Sequence, residues 1–183
     1  MSNEHLGLAK KFKVNPSSCG GDGNLYEQKL VLTAQSQQYG DGSVIHILLE
    51  SDSNGKPQRI VGYISFVANG IDVPSGGNKI DSLPAIEIKT MAVDGDFEKQ
   101  GIGTLLLDYS IHVAIALRQN FIGVDFIITC AAESSVGFYS KYKKQPFVKL
   151  DDFFGNADMD NAQEQENDLD IPNNIPMILK LPK

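Results

Sequence analysis

We predict that this chain folds as an α/β (α+β) protein with a mixed, mostly antiparallel central sheet flanked by helices. Three observations predict it. An Asn-Gly turn in "DSNGK" joins two strand-like segments, a long amphipathic helix follows a third strand-like segment, and further strand-like segments follow that helix. A length of 183 residues with 42% hydrophobic residues fits one domain, residues 1–183.

The first half of the chain predicts one helix and four strands. Residues 7–14 are expected to form a short edge strand, and residues 25–38 a helix that ends before the turn "YGDGS". The segments 44–51 and 59–70 flank the Asn-Gly turn as antiparallel partners. A Gly-, Ser- and Pro-rich connection then leads to a third long strand at 84–93.

The second half alternates strands and helices. A helix is expected to run from the glycines of "GIG" to about residue 119. Its apolar positions at helical spacing are Ile102, Leu106, Tyr109, Val113 and Leu117. A buried-type strand at 124–131 and a short helix at 134–144 follow, and strands at 146–150 and 175–181 form a terminal hairpin.

The charge of the chain is concentrated in one segment. Residues 151–174 contain eight acids and no Lys or Arg, and without those acids the net charge of −7 becomes +1. A polar, acid-rich stretch of this kind predicts a solvated, flexible loop between the last two strands. Four lysines come just before it, namely Lys141, Lys143, Lys144 and Lys149.

Several classes of protein and site are disfavoured. No apolar run is long enough to span a bilayer, and the N-terminus has no hydrophobic signal region, so a cytoplasmic protein without membrane association is expected. Cys19 and Cys130 are predicted to be free thiols, and they form no metal-ligand spacing with the three histidines, so no metal is expected. His46 is expected to be a strand residue with a satisfied ring, and His112 a helix residue outside the chemistry.

The stretch "EKQGIGT" places two glycines where a helix begins. Backbone N–H groups in a first helical turn have no intrahelical acceptor, and glycines let a phosphate oxygen approach them. The stretch lacks the Lys of a Walker A loop and the third glycine of a dinucleotide fingerprint. Alternatively, Gly101 and Gly103 only permit close packing of the helix on a strand.

The chain resembles the GNAT (Gcn-related N-acetyltransferase) superfamily at two motifs. "EKQGIG" is similar to the family's acetyl-CoA loop, Gln/Arg-x-x-Gly-x-Gly/Ala, except that Glu98 stands where Gln or Arg is usual. "SSVGFYSKY" is similar to the family's later short helix with a Phe/Leu-Tyr pair. The order of elements also matches, over roughly residues 44–150 and 175–181.

This resemblance implies acetyl-CoA as the acetyl donor, bound in a V-shaped cleft between the fourth and fifth core strands. The pyrophosphate is expected on the backbone of the glycine loop and the pantetheine arm along the end of the third strand. The cofactor-binding residues that the resemblance implies are Met91, Ala92, Val93, Lys99, Gln100, Gly101, Ile102, Gly103 and Thr104.

Acetyl transfer to an amine needs a base and an acid. An alkylammonium ion, with a pKa near 10.4, must lose its proton before it attacks the thioester, and the departing thiolate leaves more readily when protonated. By resemblance, Tyr139 is the candidate general acid and Glu87 the candidate general base. Alternatively, Tyr139 packs its ring on the sheet and bonds pantetheine, while Glu87 pairs with Lys89 on a solvated strand face. Tyr142, three residues after Tyr139, is excluded as the general acid.

The acceptor is expected to be a primary amine on a small molecule, a peptide or a protein. A narrower resemblance, in "MAVDGDF", "GFYSKY" and "IPMILKL", is to toxin-type GNAT proteins that acetylate aminoacyl-tRNA. Such proteins are usually basic, because they bind many phosphates, so tRNA is the alternative acceptor here. A non-catalytic acetyl-CoA-binding module is a further alternative function. The sequence does not determine the oligomeric state, and a homodimer is compatible with it.

Overall fold

A computed structural model describes residues 3–18, 20–21, 23–36, 42–76, 79–154 and 174–182. The helices are α1 (Asn3–Ala9), α2 (Gly23–Ser36), α3 (Ile102–Asn120), α4 (Glu133–Ser140) and α5 (Leu150–Phe154), with 3-10 turns at Pro16–Ser18 and Gly95–Phe97. The strands are β1 (Val44–Ser51), β2 (Pro57–Gly76), β3 (Lys79–Val93), β4 (Phe126–Ala132), β5 (Val148–Lys149) and β6 (Asn174–Lys180).

The six strands form one sheet in the order β1-β2-β3-β4-β6-β5. β1 pairs antiparallel with β2, and β6 pairs antiparallel with both β4 and β5. β6 therefore lies between two strands that precede it in sequence. This mixed, mostly antiparallel sheet flanked by helices confirms the predicted fold class.

The chain divides into two compact units. Unit 1 comprises Met1–Val67 and Ile88–His112. Helices α1 and α2 supply much of its core, where Phe12 meets Tyr63 edge to face with ring centroids 5.6 Å apart. The Tyr63 hydroxyl donates to the Tyr26 carbonyl at 2.9 Å. The buried cluster around them is Leu8, Ala9, Phe12, Val14, Leu30, Ala34, Ile60, Tyr63 and Ala92.

Unit 2 comprises Ala68–Glu87 and Val113–Lys183. Its buried cluster is Ile71, Ala85, Phe126 and Ile178. Helix α5 packs on that cluster, with the Phe153 ring 5.8 Å from the Phe126 ring. The predicted one-domain organisation stays a prediction.

Two predicted segments at the ends of the chain are wrong. In place of the edge strand expected at 7–14, helix α1 ends at Ala9 and a turn and irregular chain follow. Leu8, Ala9 and Phe12 are buried at helical spacing against α2, and this spacing outweighs the apparent alternation. The acidic loop does not begin at residue 151, because residues 151–154 belong to α5, whose partly buried phenylalanines pack against the buried cluster of unit 2. The rest of the predicted loop, 155–173, lies outside the described residues.

Other boundaries also differ from the predictions. The connection expected between the second and third strands is mostly strand, since β2 extends to residue 76 and β3 begins at residue 79. The helix expected at 134–144 ends at Ser140, and the strand expected at 146–150 shortens to Val148–Lys149. Strand and helix ends are where local sequence preference is weakest.

The buried face of α3 is offset from the predicted one. Leu106, Leu107, Ser110 and Ala114 are buried, whereas the predicted core position Tyr109 is 37% exposed. The Ser110 hydroxyl donates to the Leu107 carbonyl at 2.7 Å, which satisfies it within the helix. The small side chains of Ser110 and Ala114 thus face inward here. A search for large apolar residues at helical spacing does not detect them.

Candidate functional site

The loop between β3 and α3 ends in a helix start with unsatisfied backbone donors. The first bond of α3 runs from the Leu105 N–H to the Gly101 carbonyl at 3.0 Å, so Gly101 is the N-cap residue. The N–H groups of Ile102, Gly103 and Thr104 therefore have no intrahelical acceptor. They also stand at the positive end of the helix dipole. This end of the helix suits an anionic group.

Gly101 is required by backbone conformation and not by packing. Its φ is 85°, in the left-handed region, and a Cβ added there would meet nothing within 4 Å. Lys99 has a φ of 61° and is the only non-glycine residue with positive φ in the described part of the chain. For Gly101, the packing alternative therefore fails. Two left-handed residues in three positions bend the loop into the helix.

The close packing of α3 depends on a different glycine, Gly62 of β2. A Cβ at Gly62 would lie 3.2 Å from the Ala92 carbonyl oxygen, the Ile102 Cγ2 and the Leu106 Cδ1. The first turn of α3 therefore rests directly on β2 at this point. Gly62 was not predicted as a packing residue, although an isolated glycine inside "RIVGYIS" is itself a signal of close approach.

A buried carboxylate anchors the start of the same loop. The Asp94 side chain is fully buried and accepts hydrogen bonds from the Lys13 N–H at 3.1 Å, Arg59 at 2.7 Å and the Asp96 N–H at 3.2 Å. Arg59 also pairs with Asp96 at 2.5 Å and lies over the Phe97 ring, 5.0 Å from its centroid. The hydrogen bond to Asp96 and the charges of both carboxylates raise the pKa of Arg59.

The segment around Lys13 runs beside this loop. The Lys13 carbonyl accepts from the Gly95 N–H at 2.8 Å, and the Asn15 amide donates to Glu98, the departure from the family motif, at 3.4 Å. On the other side, Glu27 of α2 accepts from the Lys13 ammonium at 2.5 Å and from the next backbone N–H at 3.0 Å. The loop is thus tied to the N-terminal helices through one short segment.

Glu87, the predicted base, belongs to unit 2 and is buried. It is 7% exposed, and its Oε2 accepts from the Asn69 amide at 2.8 Å. The Gly70 N–H donates to the Asn69 Oδ1 at 2.8 Å, which fixes the orientation of that amide. The alternative of a solvated strand face is therefore wrong for Glu87. Asn69 was missed, because only the pairing of two strands brings it to Glu87.

Tyr139, the predicted acid, lies in the last turn of α4 and is 6% exposed. Its ring packs edge to face between Phe138 at 5.3 Å and Phe147 at 5.4 Å. Tyr142, which was set aside, is equally buried but lies beyond the end of the helix. These ring contacts are with Phe138 of α4 and Phe147, which lies outside the strands, and the choice between proton donor and pantetheine contact stays a prediction.

The four lysines that follow Tyr139 in sequence are all exposed. They are Lys141, Lys143, Lys144 and Lys149. This part of unit 2 therefore presents positive charge to solvent.

The histidines and cysteines behave largely as predicted. His46 Nδ1 lies 2.8 Å from the Tyr109 hydroxyl, and burial lowers the pKa of His46. His112 is exposed on α3, and Cys130 is a partly buried free thiol, while Cys19 lies outside the described residues. Among described residues, no three His, Cys, Asp or Glu side chains are grouped to hold a metal ion. Nor does any described helix have the length and apolarity needed to cross a membrane.

Comparison with known proteins gives a family match and a shared fold. A family model described as "Acetyltransferase (GNAT) family" matches residues 21–142. None of the curated protein sequences matches the chain.

Solved structures of toxins share the fold. A mutant form of the AtaT toxin is 16% identical, with 78% of this chain and 76% of that chain covered and a TM-score of 0.61. AtaT complexed with acetyl-methionyl-tRNAfMet is 16% identical, with coverage of 95% and 86% and a TM-score of 0.58. A KacTA–DNA complex is 18% identical, with coverage of 96% and 89% and a TM-score of 0.58.

Proposed function

The chain belongs to the acetyltransferase (GNAT) family and is an acyltransferase that uses acetyl-CoA, and from that premise we propose that it acetylates a primary aliphatic amine. The acceptor is an amino group on a small molecule, a peptide or a protein. The observation that carries this proposal is the buried Glu87 carboxylate held by Asn69. Family membership favours an enzyme over the non-catalytic module considered from the sequence.

Acetyl-CoA supplies the activated acetyl thioester, and the loop residues would hold its phosphates. The glycine-capped start of α3 fits such a group, because its first N–H groups have no intrahelical acceptor and a Cβ added at the exposed Gly101 would meet nothing within 4 Å. The backbone at Met91, Ala92 and Val93 would carry the pantetheine arm. Residues 99–104 would bind the pyrophosphate, with Gly103 leaving room for it.

Glu87 is proposed to remove the proton from the acceptor ammonium ion. An aliphatic ammonium has a pKa of about 10.4, so at neutral pH nearly all of it must be deprotonated before attack. The Asn69 amide holds this buried carboxylate in a fixed orientation, and an ionised carboxylate is able to accept a proton. An α-amino group, with a pKa of about 8, has much less need of such a base.

Tyr139 is proposed to donate its phenolic proton to the departing sulfur. Its ring is fixed between two phenylalanines, so the hydroxyl is held in one place without the ring having to reorient. A positioned general acid of this kind typically contributes about 10²- to 10⁴-fold in rate. Attack by the neutral amine leaves one more proton to be lost from its nitrogen, and that proton restores the tyrosinate left when Tyr139 protonates the sulfur. The products are an acetamide, free CoA and the one proton that Glu87 took from the ammonium ion and passes to solvent.

The test is an acetyl-CoA turnover screen against polyamines, amino acids, lysine-containing peptides and charged tRNA. We expect turnover with an aliphatic amine, and we expect Glu87→Gln to lower kcat/KM at neutral pH by about 10²-fold. Glu50→Gln is the matched control, since Glu50 is also a strand glutamate but is exposed. Full activity of Glu87→Gln on the preferred amine would show that Glu87 is not the general base.

Aminoacyl-tRNA is the second candidate acceptor. The exposed lysines beyond α4 favour it, because tRNA recognition requires cations that neutralise phosphates. Two solved structures that share the fold also favour it. One is AtaT complexed with acetyl-methionyl-tRNAfMet, and the other is AtaTR bound with AcCoA. The eight acids of residues 151–174 argue the other way, since they carry negative charge close in sequence to those lysines.

The two acceptors are separated by expression in bacteria. Growth arrest by the full chain that is lost in Tyr139→Phe, together with acetylated aminoacyl-tRNA, would establish the second candidate. Replacing the four lysines beyond α4 by alanine should then reduce acetylation of tRNA and leave acetylation of small amines unchanged. Deletion of residues 155–170 should enhance the tRNA reaction if the acids oppose RNA binding.

A further inference from the structure

We propose that Arg59 and Asp94 are positioning residues that hold the acetyl-CoA loop in its binding conformation. Neither residue belongs to the predicted cofactor contacts. The inference builds on the proposed placement of acetyl-CoA at the start of α3. It is independent of the acceptor and of the roles proposed for Glu87 and Tyr139.

Asp94 joins three separate parts of unit 1 at the point where β3 ends. Its donors come from the N-terminal segment, from β2 and from the loop itself, through Lys13, Arg59 and Asp96. The backbone N–H of Asp94 also donates to the Val61 carbonyl at 3.0 Å, so its main chain is still fixed to β2. A fully buried carboxylate with these donors gives the loop a rigid beginning.

Arg59 extends this anchor along the 3-10 turn. One guanidinium nitrogen lies within 2.7 Å of Asp94 and 2.5 Å of Asp96, while the guanidinium plane covers the Phe97 ring. The Gln100 amide donates to the Asp96 carbonyl at 2.9 Å and carries the chain of contacts to the residue before Gly101. Side-chain contacts thus hold this segment at Asp94, Asp96 and Phe97 before Lys99, and at Gln100 after it.

This support explains how the loop keeps an unfavourable backbone. Lys99 is in the left-handed region, where a side chain is disfavoured, and such a conformation persists only where surrounding contacts determine it. Lys99 and Gly101 together set the direction of the N–H groups offered to the phosphates. Loss of the Arg59–Asp94 pair would let the loop relax, and acetyl-CoA would then have to reorder it on binding.

The pair is a poor candidate for a purely stabilising contact. Only the carboxylate of this pair is fully buried, while the Arg59 side chain is one-third exposed, and desolvation of the carboxylate opposes the attraction between the two charges. The side-chain contacts of Arg59 described above are all with residues 94–97 of the loop. A positioning role requires this placement. The expected signature is a change in acetyl-CoA affinity with kcat preserved at saturation.

The experiment compares Asp94→Asn, Arg59→Gln and Arg59→Lys with Glu27→Gln, using calorimetry with acetyl-CoA and steady-state kinetics. Glu27 is the matched control, because it ties the same Lys13 segment to α2 and makes no recorded contact with residues 94–101 among those described. Asp94→Asn and Arg59→Gln should raise the acetyl-CoA Kd about tenfold, a factor that corresponds to about 1.4 kcal/mol. Arg59→Lys should recover part of this loss, and kcat should stay within about twofold.

Each outcome decides the question. An unchanged Kd in Arg59→Gln, an equal rise in Glu27→Gln, or a loss confined to kcat would overturn the positioning role. The Arg59 side chain is one-third exposed, so Arg59→Gln serves if Asp94→Asn does not fold. Gly103→Val tests the placement of acetyl-CoA separately. If Gly103→Val leaves the acetyl-CoA Kd unchanged, the proposed placement of acetyl-CoA at the start of α3 is wrong. If Gly103→Val raises that Kd and the Arg59 variants do not, only the positioning role of Arg59 and Asp94 is wrong.

Discussion

Replacing Tyr139 by Phe removes one hydroxyl from a side chain that is packed on all sides. The ring is 6% exposed and lies edge-on to Phe138 and Phe147, and Phe preserves both of these contacts. The unfolding free energy should therefore change by no more than about 1 kcal/mol. If the hydroxyl donates a proton to the departing sulfur, kcat should fall about 10²-fold, which corresponds to about 2.7 kcal/mol of transition-state free energy.

The assay follows release of the CoA thiol with the preferred amine, and acetyl-CoA affinity is measured separately by calorimetry. Tyr142→Phe is the matched control, because Tyr142 is equally buried and lies three residues further on, outside α4. We expect an unchanged Kd for acetyl-CoA in both variants and a lowered kcat in Tyr139→Phe alone. A raised Kd with kcat intact would assign Tyr139 to pantetheine binding, and an equal loss in Tyr142→Phe would refute the specific role.

Three further predictions concern the loop, its packing and pH. Gly103→Val should weaken acetyl-CoA binding at least about tenfold in a folded protein, because a branched side chain would enter the phosphate site, and calorimetry showing unchanged affinity would contradict this. Gly62→Ala should destabilise the protein by about 1–3 kcal/mol in denaturant unfolding, since its Cβ would lie 3.2 Å from three atoms. Gly7→Ala in α1, with open space around it, should not destabilise. Burial lowers the pKa of His46 below 6.5, so the unfolded state binds its proton first, and the stability present above that pH is lost as pH falls. The loss between about pH 7.5 and about pH 5 should be smaller in His46→Phe, and an equal loss in the variant would count against this explanation.

Most of the sheet could be predicted because its strands carry strong local signals. The Asn-Gly turn between β1 and β2 and the apolar runs of β4 and β6 are set by residues close together in sequence. The errors occur where distant parts of the chain decide. Residues 7–9 are helical, and Leu8 and Phe12 join a buried cluster with residues of α2. Helix α5 packs its partly buried phenylalanines against the buried cluster of unit 2.

For the candidate site, only the start of α3 can be compared with its prediction, and the roles of Tyr139 and Glu87 stay predictions. The glycine motif located the start of α3, and family resemblance singled out Tyr139 and Glu87. The supporting contacts were not predictable, because each joins residues remote in sequence. Arg59 and Asp94 are 35 positions apart, and Asn69 and Glu87 are 18 apart. No local pattern indicates which carboxylate an arginine or an asparagine will meet once the strands have paired.

The position of β6 between β4 and β5 has a consequence for how the protein is made. The register pairs Phe126 with Lys180 and Val148 with Ile178, so β4 and β5 leave the ribosome before the strand that bonds to both. Until β6 inserts, β4 lacks that neighbour, and the apolar surface that Met177, Ile178 and Leu179 later cover is exposed. Such late, non-local pairing is slow and favours aggregation. Nascent chains stalled before residue 174 should therefore recruit chaperones, and chains released past residue 180 should not.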